Sequence, residues 1–205
     1  MHDAVKSRIP IDHFRGLFSL NNRSVIFFRE PYWFPDRRGI QSTIPRSQAS
    51  WIYEKCSLTR RIKKTCATHF RVQVLNQCWA RPWPDEARVL ELPRHQVALV
   101  REVQLFCRLS PLIVARTIIP RSTLKGAQRR LSSLGTRPLG EVIFTYPTLA
   151  RHRLDITQVQ PSDWNPRFAA ALAIAPPVWG RRTVYAIAGR RLLVCEFFLP
   201  EVLKR

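Results

Sequence analysis

Arg101, Arg116 and Glu196 are the residues whose type and spacing could do chemistry. Each is an isolated charge in an aliphatic strand pattern. In VALVREVQLF (97–106) alternate positions give Val97, Leu99, Arg101, Val103 and Leu105 on one face, because side chains alternate across a strand. In LIVARTIIP (112–120) the same period gives Leu112, Val114, Arg116 and Ile118. In RRLLVCEFFLP (190–200) both faces are apolar, with Glu196 among Leu192, Val194 and Phe198. A buried charge without a partner costs several kcal/mol. Two arrangements answer that cost. One is an internal Arg–Glu ion pair. The other is a closed cavity for an anion, with Arg as countercharge and Glu handling a proton or a hydrogen bond. The pattern alone leaves both open. An Arg fork can hold both oxygens of a carboxylate. A Glu in an apolar pocket can have a raised pKa, which suits acid–base work.

The elements around these residues read as strands joined by tight turns. Strands 97–106 and 112–120 are linked by CRLSP as an antiparallel hairpin. Strands 179–188 and 190–200 meet at Gly189. HFRVQV (69–74) is a further strand, and 137–144 and 149–156 are shorter elements. A helix starts near a capping Ser47, with Ala49, Ile52, Tyr53 and Cys56 at helical spacing, and Leu58–Lys64 continues as a second helical turn. Another helix runs from Ser122 to Gly135. Residues 79–94 and 158–178 read as loops. This order predicts an α+β domain built on one antiparallel sheet.

The chain of 205 residues is long enough for one domain at roughly 100–200 residues each. Residues 1–46 mix Pro, Arg and aromatics without a sustained period. They read as an extension before a domain at 47–205, poorly ordered or loosely packed, with aromatics that can pack onto that domain. The 45% hydrophobic content excludes a disordered basic tail. No apolar stretch is long enough to span a membrane, and the N-terminus lacks the apolar core of a signal peptide, so a cytoplasmic location is expected. Five Cys residues show no C-x-x-C spacing and are expected to be reduced, packed thiols. His69, His95 and His152 have no partner at a spacing that suggests a triad. The formal charge is +20. The Lys and Arg residues are spread along the chain without a nucleic-acid motif, so a solvated basic face or attraction of a small anion is expected rather than nucleic-acid binding.

LVREVQLF, ARTIIPRSTLKG, LGTRPLGEVIF, VWGRR and LLVCEFFLP, in that order and spacing, resemble the chorismate lyase family across about residues 48–205. The resemblance implies an antiparallel sheet with helices packed on one side and helical flaps over an internal ligand cavity. It implies conversion of chorismate to 4-hydroxybenzoate and pyruvate, the first step towards the ubiquinone ring, with no metal or cofactor. The family's binding Arg falls on Arg101, its acidic residue on Glu196, and the Leu of its PLG motif on Leu139. A flap position falls on Leu58, and Arg116 is implied as a cavity residue. Substrate and product are the expected partners of a monomer. The alternative reading is a non-catalytic domain of the same fold that binds a small aromatic acid. Three features depart from the family pattern: the long loop before VWGRR, the basic charge and the N-terminal extension.

Overall fold

A computed structural model describes residues 23–174 and 176–204. Seven antiparallel strands form one sheet: β1 (Phe34–Pro35), β2 (Phe70–Ala80), β3 (Ala98–Cys107), β4 (Ser110–Pro120), β5 (Leu149–Val159), β6 (Val178–Ile187) and β7 (Arg190–Phe198). Their order is β1-β5-β6-β7-β4-β3-β2. The long central strands are rich in Val, Ile, Leu and Phe, which suit a pleated surface buried on both sides. Gly189 takes a positive φ of 76° at the β6–β7 turn, which a residue without Cβ adopts readily.

Six short α-helices lie among the described residues: α1 (Arg38–Gln41), α2 (Arg46–Ile52), α3 (Leu58–Cys66), α4 (Pro84–Val89), α5 (Leu139–Ile143) and α6 (Pro166–Ala171). The α2 helix starts at Arg46, with Pro45 before it, so Ser47 lies inside the helix and does not cap it. Two helices occupy segments expected to be loops. In α4, Pro84 opens the helix and Glu86 accepts a hydrogen bond from the Trp83 N–H at 2.8 Å. In α6 the Asn165 side chain accepts from the N–H groups of Arg167 and Phe168. Pro at the first position and a capping Asn or Glu are start signals, but both helices are too short for a periodic apolar stripe. The helix expected after Ser122 is a 3-10 turn over Gly126–Ser132.

The two sheet faces do different work. One face packs on α2, α3 and α5 through two apolar clusters. Trp51, Ile52, Leu58 and Ile62 meet Val103, Leu105 and Phe198. Leu139, Val142 and Ile143 meet Leu99, Tyr185 and Val194. The other face is covered by α4, α6 and the segment before β1, where Phe27, Trp33, Trp164 and Phe168 pack on Val100, Val114 and Phe197. Gly180 permits this packing, since a Cβ there would stand 2.7 Å from the Phe197 ring.

Loose packing is expected for residues 1–46, of which 1–22 lie outside the described residues. Within the described part, residues 24–27 and Trp33 are buried in the core. Burial of Phe27 and Trp33 outweighs the missing local period, because aromatics bring a large apolar area wherever the chain can reach the sheet. The expectation of five reduced thiols is also corrected. Cys66 at the end of α3 and Cys107 at the end of β3 form a disulfide, while Cys56, Cys78 and Cys195 are free. The two cysteines are 41 residues apart in sequence and only the fold brings them together.

The same N-terminal segment carries a pH-sensitive tie. The Glu30 carboxylate accepts from the N–H groups of Asp85 at 3.1 Å and Glu86 at 3.2 Å. Burial, with Glu86 beside it, raises the Glu30 carboxyl to about 7 despite those two bonds. A carboxyl raised by folding holds its proton more tightly in the folded state. Its contribution is therefore fully present below about pH 4.5 and is lost as pH climbs through 7. Melting scans between pH 5 and 8 should show stability falling by about 1–2 kcal/mol after solvent screening. Glu30→Gln should flatten that fall; an unchanged slope in the variant would assign it elsewhere.

Candidate active site

Sheet register places the polar residues of the first face in two adjacent rows. Arg101 pairs with Thr117, and Thr117 with Val194. In the next row Val103 pairs with Ala115, Ala115 with Glu196, and Glu196 with Arg181. These rows lie between the two apolar clusters and form the floor of a pocket. Its walls are Leu58 and Thr59 from α3, and Pro138, Leu139, Gly140 and Ile143 from the start of α5. Tyr185 and Phe144 close one side. By strand spacing and rise, the Cα atoms of Arg101 and Glu196 are about 12 Å apart across this floor.

Arg101 is 1% exposed. Its Nη2 donates to the carbonyl oxygens of Gly135 at 2.9 Å and Arg137 at 3.2 Å, while its Nε has no partner among the described residues. No carboxylate among the described residues pairs with it. Burial pushes its guanidinium down to about 10, with no anion to offset it. A buried cation in this condition favours any anion that reaches the pocket.

Glu196 is held at the opposite end. Arg181 Nε donates to its Oε2 at 2.7 Å, and the Glu196 side chain stays 16% exposed. The Arg181 Nη1 donates to the carbonyls of Ile52 at 2.9 Å and Glu54 at 2.8 Å. Glu196 therefore has a cation on one side and the pocket on the other.

Leu58 and Leu139 are the first residues of α3 and α5, and both are buried against the pocket. The first backbone N–H groups of a helix lack intrahelical acceptors. Gly140 lets the two helix starts meet: a Cβ there would stand 2.9 Å from Ser57 Oγ and 3.4 Å from Thr59 Oγ1. Gly140→Ala should force α3 and α5 apart and cost about 1–3 kcal/mol of stability, as overpacking does. A melting scan checks this; an unchanged melting temperature would mean that the Ser57 side chain simply turns away.

The structure thus brings Arg101, Glu196, Leu58 and Leu139 to one pocket. Arg116 is elsewhere, which corrects its expected place in the cavity. Arg101 pairs with Thr117, so its neighbour Glu102 pairs with Arg116 on the other face. There Arg116 Nε donates to Glu86 Oε1 at 2.7 Å, Nη2 to Glu86 Oε2 at 3.0 Å and Nη1 to Glu102 Oε1 at 2.9 Å. Burial alone would disfavour the charge, but the Glu86 and Glu102 carboxylates outweigh it and hold the guanidinium above its ordinary value. The internal Arg–Glu pairing thus exists, with Glu86 and Glu102 as partners instead of Glu196. Sequence reasoning did not single out Arg181, Thr117 or Tyr185. The signal for Arg181 was present: in VWGRR the period of two puts Arg181 and Arg182 on opposite faces, so one of them must share the face of Glu196. Arg182 takes the other face, donating from Nε to Asp155 Oδ2 at 2.8 Å.

Among the described residues, no group of three or more His, Cys, Asp or Glu side chains could hold a metal ion. No helix among them is long and apolar enough to cross a membrane.

The family model "Chorismate lyase" matches residues 32–205. The chain is 50% identical over 154 residues to a "Probable chorismate pyruvate-lyase" from Methylococcus capsulatus, covering 75% of this chain and 95% of that protein. It is 35% identical over 176 residues to the protein of that name from Nitrosospira multiformis, covering 84% and 94% of the two chains. Among solved structures, a GntR-family transcriptional regulator from Bacillus cereus aligns with a TM-score of 0.51 at 13% identity, over 65% of this chain and 94% of that one. That likeness shows a shared fold only. With a family match that covers the sheet and every pocket residue, and curated relatives at up to 50% identity, the chain belongs to the chorismate lyase family and is a chorismate pyruvate-lyase enzyme by class.

Proposed function

We propose that the pocket binds chorismate and converts it to 4-hydroxybenzoate and pyruvate, as the step that opens ubiquinone ring synthesis in the cytoplasm. The observation that carries this reading is Arg101, a buried guanidinium that faces the pocket with no carboxylate partner among the described residues. Arg101 takes the ring carboxylate, with the first N–H groups of α3 and α5, near Leu58 and Leu139, completing the grip. Glu196 lies at the other end and meets the C4 hydroxyl. A ring with a carboxylate and a hydroxyl in para positions carries one polar group for each of these two ends.

The reaction is an elimination. The C4 hydrogen leaves as a proton, its bonding pair forms the new ring double bond, and the C3–O bond breaks. The departing enolpyruvate takes up a proton and becomes pyruvate. Aromatisation supplies the driving force. The residues need to orient the ring, stabilise the leaving enolate and keep water out. Helices α3 and α5 act as flaps over the product.

Purified full-length protein mixed with chorismate and EDTA tests this. 4-Hydroxybenzoate and pyruvate should appear in equal amounts. If neither forms and 4-hydroxybenzoate raises the melting temperature, the domain is a binding module instead.

A further inference from the structure

Arg181 is the second guanidinium in the pocket wall, and its bonds run in two directions. It is 1% exposed. Its Nε holds Glu196 Oε2 at 2.7 Å. Its Nη1 gathers carbonyl oxygens at the end of α2, Ile52 at 2.9 Å, Glu54 at 2.8 Å and Trp51 at 3.4 Å. This stretch leads directly into Leu58 and the α3 flap. A second arginine reinforces it: Arg151 Nη2 donates to the Glu54 and Lys55 carbonyls at 3.3 and 3.4 Å, and to the Tyr185 hydroxyl at 3.2 Å.

We propose that Arg181 is a positioning residue that couples the placement of Glu196 to closure of the α3 flap. One planar guanidinium fixes both the carboxylate and the flap's point of attachment, so neither can shift without the other. A lysine could satisfy Glu196 but lacks the second arm of the fork. The alternative, a purely structural arginine that neutralises a buried carboxylate, would affect folding without affecting turnover per folded molecule.

This inference rests on the proposed lyase reaction, and the test separates the two. Arg181→Met, Arg181→Lys, Glu196→Gln and the Arg181→Met/Glu196→Gln double variant are compared with the parent. Turnover, KM, melting temperature and amide exchange over residues 52–60 are measured. Misplacement of a reacting group by about 1 Å can cost about 100-fold in rate, and Arg181→Met should lower kcat by about that factor, with a smaller change in KM. It should add almost nothing in the Glu196→Gln background, because residues acting as a unit do not add. Exchange over 52–60 should quicken in Arg181→Met. In Arg181→Lys turnover should recover in part while exchange stays fast. Losses that multiply in the double variant, or a fall in melting temperature with turnover per folded molecule unchanged, would overturn the coupling. Should Arg181→Met fail to fold, Arg181→Lys decides: slow, parent-like exchange with reduced kcat refutes the link to the flap. If the parent forms no product, the lyase reading fails, while the exchange measurements still decide whether Arg181 holds the flap.

Discussion

Arg101→Met should remove turnover while the chain stays folded. The guanidinium is to hold the substrate carboxylate by charge-assisted hydrogen bonds, each contributing about 1.5–3 kcal/mol. Loss of two such bonds, about 3–6 kcal/mol together, lowers kcat/KM by about 10²- to 10⁴-fold. Stability should move little or in the opposite direction. Arg101 is a buried cation whose bonds go to two carbonyls, with no neighbouring carboxylate among the described residues. Replacing such a charge by an apolar side chain of similar length is commonly neutral or stabilising. The melting temperature should therefore stay within about 3 °C of the parent or rise, at roughly 2–4 °C per kcal/mol for a chain of this size. Steady-state kinetics and a melting scan on the same preparation check both halves. Parent-like kcat/KM would refute the anchor, and collapse of the fold would show that the two carbonyl bonds are structural ties.

Arg116→Met should do the reverse. This substitution strands Glu86 and Glu102, whose side chains are 4% and 0% exposed. Glu102 keeps the Val25 N–H at 2.9 Å and the Ser24 hydroxyl, and these polar bonds do not neutralise it. Breaking one side of a buried ion pair typically costs about 3–5 kcal/mol, which lowers the melting temperature by roughly 6–20 °C. At low temperature the folded fraction should keep kcat/KM within about three-fold of the parent, because Arg116 does not reach the pocket. Neutralising the partners as well, Arg116→Met with Glu86→Gln and Glu102→Gln, should recover most of the lost stability. A raised KM at unchanged stability would instead return Arg116 to the substrate.

These opposite expectations come from a single-residue offset in strand register. Arg101 and Arg116 look equivalent in sequence, each a lone charge among aliphatics at alternate positions. Antiparallel pairing sets Arg101 opposite Thr117 and Arg116 opposite Glu102. A shift of one residue exchanges the two faces of a strand. Hairpin loops and cross-strand packing determine that register, and the alternation within one strand cannot.

Much of the architecture was legible in the linear chain. The strands β3, β4, β6 and β7, the tight turn at Gly189 and the α+β class follow from a local period of two and local turn chemistry. Arg101 and Glu196 were legible as charges on apolar strand faces, and the family resemblance added Leu58 and Leu139. Which residues around Phe27 are buried was not legible, because a chain without periodicity gives no face to assign. Nor was the Cys66–Cys107 disulfide, whose ends meet only when α3 folds onto β3.

The sequence by itself determined which residues carry charge, which stretches form strands and that some buried charge must find a partner. Those are local properties, set by side-chain chemistry and backbone period. Only the tertiary structure decided which charge found which partner. It gave Arg116 to Glu86 and Glu102, gave Glu196 to Arg181, and left Arg101 facing the pocket with no carboxylate partner among the described residues. Ion pairing acts over a few ångströms, and that proximity is created by strand register and by packing of helices onto the two faces of the sheet.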